Sequence, residues 1–121
     1  VILADTSVWV GHLREGDAEL ARRLEAAQVV CHPWVIAELA LGTLKARETV
    51  LGLLDGMPAL PVASANELRA MVEARGLAGS GIGFVDAGLV ASCLLVPGTT
   101  LWTRDRRLGR VAEGLEVAWS G

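Results

Sequence analysis

Four acidic side chains stand apart from the other acids of this chain. The sequence has 14 Asp and Glu residues. Most fall on polar faces, in turns or at a helix cap. Asp5, Glu38, Asp86 and Asp105 do not. Asp5 ends the apolar run Val1-Ile2-Leu3-Ala4, Glu38 sits inside Val35-Ile36-Ala37-Glu38-Leu39-Ala40-Leu41, and Asp86 follows Phe84-Val85. Asp105 closes Leu101-Trp102-Thr103-Arg104-Asp105. A carboxylate carried into apolar surroundings is costly unless compensated. No Lys or Arg is near Asp5, Glu38 or Asp86 in sequence, and Arg104 and Arg106 flank Asp105 only. A hard divalent cation with oxygen ligands, such as Mg²⁺, would compensate such a group. Taken singly, each acid has an ordinary alternative. Asp5, Asp86 and Asp105 read equally as helix caps, and Glu38 as a solvated residue on an amphipathic helix.

The elements that must position these acids follow from the hydrophobic pattern. The first residues read as a buried strand, apolar at every position as in a parallel sheet covered on both faces. In such sheets ligands bind beyond the carboxyl ends of the strands, where Asp5 stands. A short helix is expected over 7–14 and another over 18–27, capped by Asp17. Val29-Val30-Cys31 reads as a strand. Pro33 opens a helix that Gly42 ends, and a further helix is expected over 46–54. An extended piece covers 59–62. Ser64 and Glu67 form a capping box for a helix closed by Gly76. A glycine-rich loop, 78–83, leads to a nearly all-apolar helix over 84–96. A strand over 100–103, a helix over 106–113 and a last strand at 117–119 complete the chain. Alternation of strands and helices predicts an α/β fold with a mostly parallel sheet in a single domain, residues 1–121.

Composition narrows the function. The chain has 121 residues, 52% of them hydrophobic, and a net charge of -3. Mean hydropathy is +0.44. The negative balance argues against nucleic-acid binding through bulk positive charge but leaves room for a local basic rim or a metal ion. Cys31 and Cys93 have no zinc-type spacing, so two buried free thiols in a reducing compartment are expected. No signal peptide is expected because the apolar start is cut at Asp5, and the numbering reads as omitting an initiator Met. The longest uncharged apolar stretch, 87–96, is too short to span a bilayer. His12 and His32 read as structural. Trp9 and Trp34 read as packing residues that could also stack on a base, and Trp102 as core strand. Gly88, inside an expected helix, reads either as a close-packing position or as space beside the acids.

The pieces Asp5-Thr6-Ser7-Val8-Trp9, Ile36-Ala37-Glu38-Leu39, Phe84-Val85-Asp86-Ala87 and Leu101 to Leu108 resemble, in order and spacing, the PIN-domain nucleases. The likeness is strongest to the VapC-type toxins of bacterial toxin–antitoxin pairs. The resemblance implies a three-layer α/β/α sandwich with a central, mostly parallel sheet. It implies a metal-dependent endoribonuclease, cytoplasmic, homodimeric and held inactive by a cognate antitoxin. Carried onto this sequence, Asp5, Glu38, Asp86 and Asp105 form an acidic quartet. Asp5, Asp86 and Asp105 would hold Mg²⁺ or Mn²⁺ directly, and Glu38 through water or by orienting the nucleophile. Thr6, Ser7 and Thr103 would support them, and Arg104, Arg106 and Arg107 are the candidate RNA contacts. Two other classes compete. An aspartate-based phosphotransfer domain also places an Asp after a strand. A haloacid-dehalogenase-like phosphatase, however, needs a second Asp where Ser7 stands, and a receiver needs a late Lys where the only Lys is Lys45. A non-catalytic PIN-like binding module is the other alternative.

Overall fold

A computed structural model describes all residues from Val1 to Gly121. The elements run β1 (Ile2–Ala4), α1 (Thr6–Glu15), α2 (Ala18–Glu25), β2 (Val29–Val30), α3 (Pro33–Leu41) and α4 (Arg47–Asp55), followed by α5 (Ala65–Arg75), α6 (Phe84–Leu95), β3 (Thr100–Trp102) and α7 (Arg106–Gly114). The sheet order is β2-β1-β3, with every pairing parallel. Ile2 stands opposite Val29 and Thr100, and Ala4 opposite Trp102. The strand that opens the chain is therefore the middle one, which is why Ile2, Leu3 and Ala4 are all buried. Helices cover the sheet in an α/β/α arrangement. In it α1 and α4 each pack on α3, while α5 packs on α6 and α6 on β3.

Two expected extended segments shrink to single bridges at the sheet edges, Cys31 with Ala59 and Leu101 with Ala118. The causes lie in the backbone donors. Pro58 and Pro61 have no N–H, so Leu60 alone donates, to Cys31 at 3.0 Å. At the other edge the Val117 N–H is held by Ala112 at the end of α7, leaving Trp119 to donate to Leu101 at 2.9 Å. Two helix ends also move inward. Ala27 (φ 55) ends the turn after α2, and Ala46 (φ 50) delays α4 to Arg47. No residue in the left-handed region can continue a right-handed helix.

Caps account for most helix starts. Asp5, Asp17 and Asp105 accept from Val8, Leu20 and Leu108 at 3.1, 3.0 and 2.9 Å, and Ser64 and Glu67 close the expected capping box. Each such cap contributes on the order of 1 kcal/mol. Asp86 is not a cap, since Gly83 takes that place at α6. The start of α3 is capped by a residue that is rare in that role. His32, fully buried, accepts from the Trp34 N–H through Nδ1 at 3.0 Å. Both cysteines are free and buried. No helix is long and apolar enough to cross a membrane.

Candidate metal centre

Parallel pairing of β1 with β3 brings the residues after both strands to one sheet edge. Asp5 continues the ladder, its N–H donating to the Trp102 carbonyl at 3.0 Å. The carboxylate then turns inward and is only 4% exposed. It is met by hydroxyl and amide donors rather than by a cation. Ser7 donates to Oδ1 at 2.5 Å, the Val8 N–H to the same oxygen, and Thr103 donates to Oδ2. An ionised carboxylate has about four acceptor positions, so one remains for a further ligand.

The same hydroxyls tie in the segment after β3. Thr103 Oγ1 accepts from the Asp105 N–H at 3.0 Å, and Ser7 Oγ accepts from the Arg104 N–H at 3.0 Å. On the other side Thr6 donates to Glu38 Oε1 at 2.6 Å, linking the start of α1 to α3. The tripeptide Asp5-Thr6-Ser7 thus reaches two of the other three segments that carry acids.

Asp86 brings in the last. Its carboxyl is pushed up to about 6, first by burial and then by the charges of Asp5, Asp105 and Glu38. Asp86 therefore feels the other three acids, although no three of the four close on a common point at ligand distance. Asp5 is buried and Asp86 half-buried, whereas Glu38 and Asp105 are exposed. None of the ion pairs in the molecule reaches the four. An all-oxygen, cation-poor donor set of this kind fits a hard divalent ion.

The arginines divide. Arg104 is committed elsewhere, pairing with Asp17 at 2.6 Å and lying across Gly11. The Leu20 N–H, and after it Arg104, hold the Asp17 carboxyl below its usual value. Arg106 and Arg107 are exposed at the start of α7. The Arg107 side chain passes over Gly81, its Cδ 3.0 Å from where a Cβ would be. Beside Glu38 lies a hollow of about 380 Å³, floored by Val10, Leu13 and Leu39 and edged by Arg14, Thr43 and Lys45.

Several groups around the centre escaped the sequence reading. Gly11, under Arg104, carries no motif, and neither Gly81 in the expected loop nor Asp17 at the expected cap signals the arginine it meets. Gly11 did leave a trace. A glycine inside a helix lowers its stability by up to about 1 kcal/mol relative to Ala, so it invites a packing explanation.

A central parallel sheet with Asp5 and Asp105 beyond the ends of two paired strands, and with Asp86 under the charge of both and of Glu38, defines a class. The chain belongs to the PIN-domain family, whose model matches residues 2–114. It is 50% identical over 108 residues to Ribonuclease VapC32 of Mycobacterium tuberculosis, in strains CDC 1551 / Oshkosh and ATCC 25618 / H37Rv alike. The aligned region covers 89% of this chain and 87% of that protein.

Proposed function

We propose that residues 1–121 form one PIN-like nuclease domain, a metal-dependent endoribonuclease and the toxin of a type II toxin–antitoxin pair. Its cofactor would be Mg²⁺, with Mn²⁺ able to substitute. The observation that carries this reading is the coupling of Asp86 to Asp5, Asp105 and Glu38 without a cation among them. The half-identical relative named a ribonuclease supports the substrate class.

In this reading Asp5, Asp86 and Asp105 hold the ion and Glu38 acts through water. A divalent ion supplies Lewis acidity, making water a better nucleophile at neutral pH and stabilising charge on the leaving oxygen. The chain's own residues do the rest. Ser7, Val8 and Thr103 fix the direction of the Asp5 side chain by donating to both oxygens. Thr6 aims Glu38. Asp86 retains its proton to about pH 6 and releases it when a cation offsets the neighbouring charges. Water oxygen bonds to phosphorus, the phosphorus–oxygen bond to the leaving ribose breaks, and that oxygen takes up a proton. Arg106 and Arg107 are the proposed contacts to the RNA backbone. The cognate antitoxin, a homodimeric assembly and a cytoplasmic location complete the proposal.

The test is Asp5→Asn in antitoxin-free protein. Cleavage of RNA with Mg²⁺ should fall at least about a hundredfold, since losing even an outer partner of a metal costs tenfold to a hundredfold. Undiminished cleavage sinks the assignment. A non-catalytic PIN-like module is the second reading, favoured by the absence of three acids at ligand distance from one point. Calorimetric Mn²⁺ titration of the wild type and of Asp86→Ala decides between them, and no binding by the wild type selects the module.

A further inference from the structure

Arg104 lies between two residues that serve the acid cluster, yet its own charge turns away from it. Its backbone N–H donates to Ser7 Oγ at 3.0 Å, and Ser7 in turn donates to Asp5. Its neighbours Thr103 and Asp105 are joined by the Asp105 N–H to Thr103 Oγ1 bond. The side chain runs the other way, to Asp17 Oδ2 at 2.6 Å. On the way its guanidinium lies on α1 at Gly11, where a Cβ would stand 2.5 Å from Nη1, 3.0 Å from Cζ and 3.2 Å from Nη2. Only glycine leaves the plane that space. Asp17 is itself fixed, because its other oxygen caps α2 through the Leu20 N–H. The planar fork is thus held against helix backbone below and a capped carboxylate at its end.

We infer that Arg104 is a positioning residue, a strap that anchors the Thr103–Asp105 turn to α1 and α2 through Gly11 and Asp17, and not a contact to substrate. An RNA phosphate on Arg104 would have to compete with Asp17 for this half-exposed guanidinium. The strap goes beyond the ribonuclease reading and touches it at one point: by holding the turn it sets the place of Asp105 and of the Thr103 hydroxyl on Asp5. Its effect on metal affinity rests on that reading, whereas its effect on the turn does not.

The experiment compares wild type with Arg104→Gln, Asp17→Asn and the double variant, with Gly11→Ala as a third route. Asn at 17 keeps the helix cap. Amide hydrogen exchange at Arg104 and Asp105 reads the turn without metal or RNA. Exchange there should quicken about fivefold in each single variant, the upper range for a partly exposed ion pair, while α5 amides stay unchanged. The double variant should be no worse than the worse single one. Mn²⁺ affinity, measured by calorimetry without RNA, should fall by a similar factor, with KM for RNA unaltered at saturating metal. Unchanged exchange in Arg104→Gln and Asp17→Asn overturns the strap, as does a raised KM in Arg104→Gln alone with Mn²⁺ affinity intact. Faster exchange in a wild-type background that binds no Mn²⁺ leaves the strap standing and removes the nuclease reading instead. Should Gly11→Ala fail to fold, the Arg104 and Asp17 pair carries the test.

Discussion

The indole of Trp34 fills the space that a side chain on Gly88 would need. A Cβ at Gly88 would lie 2.1 Å from Cζ3 and 2.6 Å from Cε3 of that ring. Trp34 also stacks on Phe84, ring centroids 5.1 Å apart, one helical turn before Gly88. The indole therefore keys α3, which carries Glu38, onto α6, which carries Asp86. Of the two roles the sequence left open for Gly88, close packing is the one the structure adopts.

Gly88→Ala should consequently destabilise the protein, although helix propensity alone favours Ala by up to about 1 kcal/mol. An overpacked core costs about 1–3 kcal/mol, and the Trp34 ring, stacked on Phe84, must give way for a Cβ to fit. A net loss of about 1–2 kcal/mol is expected from these opposing terms. Urea denaturation measures it, and Trp34→Leu in the same background should restore part of the loss. Equal stability of wild type and Gly88→Ala would show that Trp34 moves freely.

The buried His32 carries a second prediction. Nδ1 accepts from the Trp34 N–H, so the ring proton sits on Nε2 and is donated to Ser92 Oγ at 3.0 Å. Ser92 then donates to the Pro61 carbonyl at 2.7 Å. Ser92→Ala strands a buried donor and an acceptor, at a cost of about 1–3 kcal/mol in urea unfolding. Burial also holds His32 below its ordinary value of 6.5. The unfolded chain thus takes up a proton that the folded one refuses. The contribution of His32 is full above pH 6.5 and is lost as pH falls below it. A Ser92→Ala variant as stable as wild type would mean that the chain of bonds carries no energy.

How much of this was legible in the sequence depends on how local each signal is. Asp5 and Asp105 were placed at strand ends by runs of apolar residues, and parallel pairing of those strands follows from a βαβ pattern. Asp17 and the Ser64–Glu67 box announced their helices through residue type alone. The parts that escaped depend on which atoms meet in three dimensions. Nothing in the spacing of Thr6 and Glu38, 32 residues apart, says that they share a hydrogen bond. Arg104 looks like a free cation beside an acid until Asp17, 87 residues away, is seen to hold it. The edge strands failed for a similar reason. Val117 to Trp119 has strand residues, but the Val117 N–H is already taken by α7.

Asp86 gives the molecule a pH response of definite sign. Its carboxyl titrates near 6 in the folded protein against an ordinary value of 3.8, burial being the main cause and Asp5 the next. The folded state therefore holds this proton more tightly than the unfolded chain. In chelator, the stability it contributes is fully present below about pH 3.8 and is lost as pH rises through about 6. Asp86→Asn should melt higher than wild type at pH 7.5 in EDTA, with the gap closing toward pH 4. In the wild type, Mn²⁺ affinity should rise with pH up to about 6 and then level, since the proton competes with the ion. A melting difference that is the same at both pH values would show that Asp86 is not under this strain.

Thr103→Val separates shape from hydrogen bonding at the centre of the cluster. The two side chains are close in volume, so packing at the end of β3 is kept. Two bonds are lost: the one Thr103 donates to Asp5 Oδ2 and the one its Oγ1 accepts from the Asp105 N–H. Asp5, nearly fully buried, then keeps Ser7 and Val8 as donors on one oxygen and has none on the other. That is a weaker hold on the direction of the carboxylate. In the proposed ribonuclease, the cost should be tenfold to about a hundredfold in RNA cleavage, the usual range for an outer partner of a metal ligand. Mn²⁺ affinity should fall with it, and stability by about 1–3 kcal/mol. Thr103→Ser retains the hydroxyl and should remain close to wild type on all three counts. Cleavage assays, calorimetry and urea unfolding on the two variants supply the comparison. Thr103→Val that cleaves and binds Mn²⁺ like the wild type would mean that Asp5 needs no help from β3, and that the link between the two strand ends is structural only.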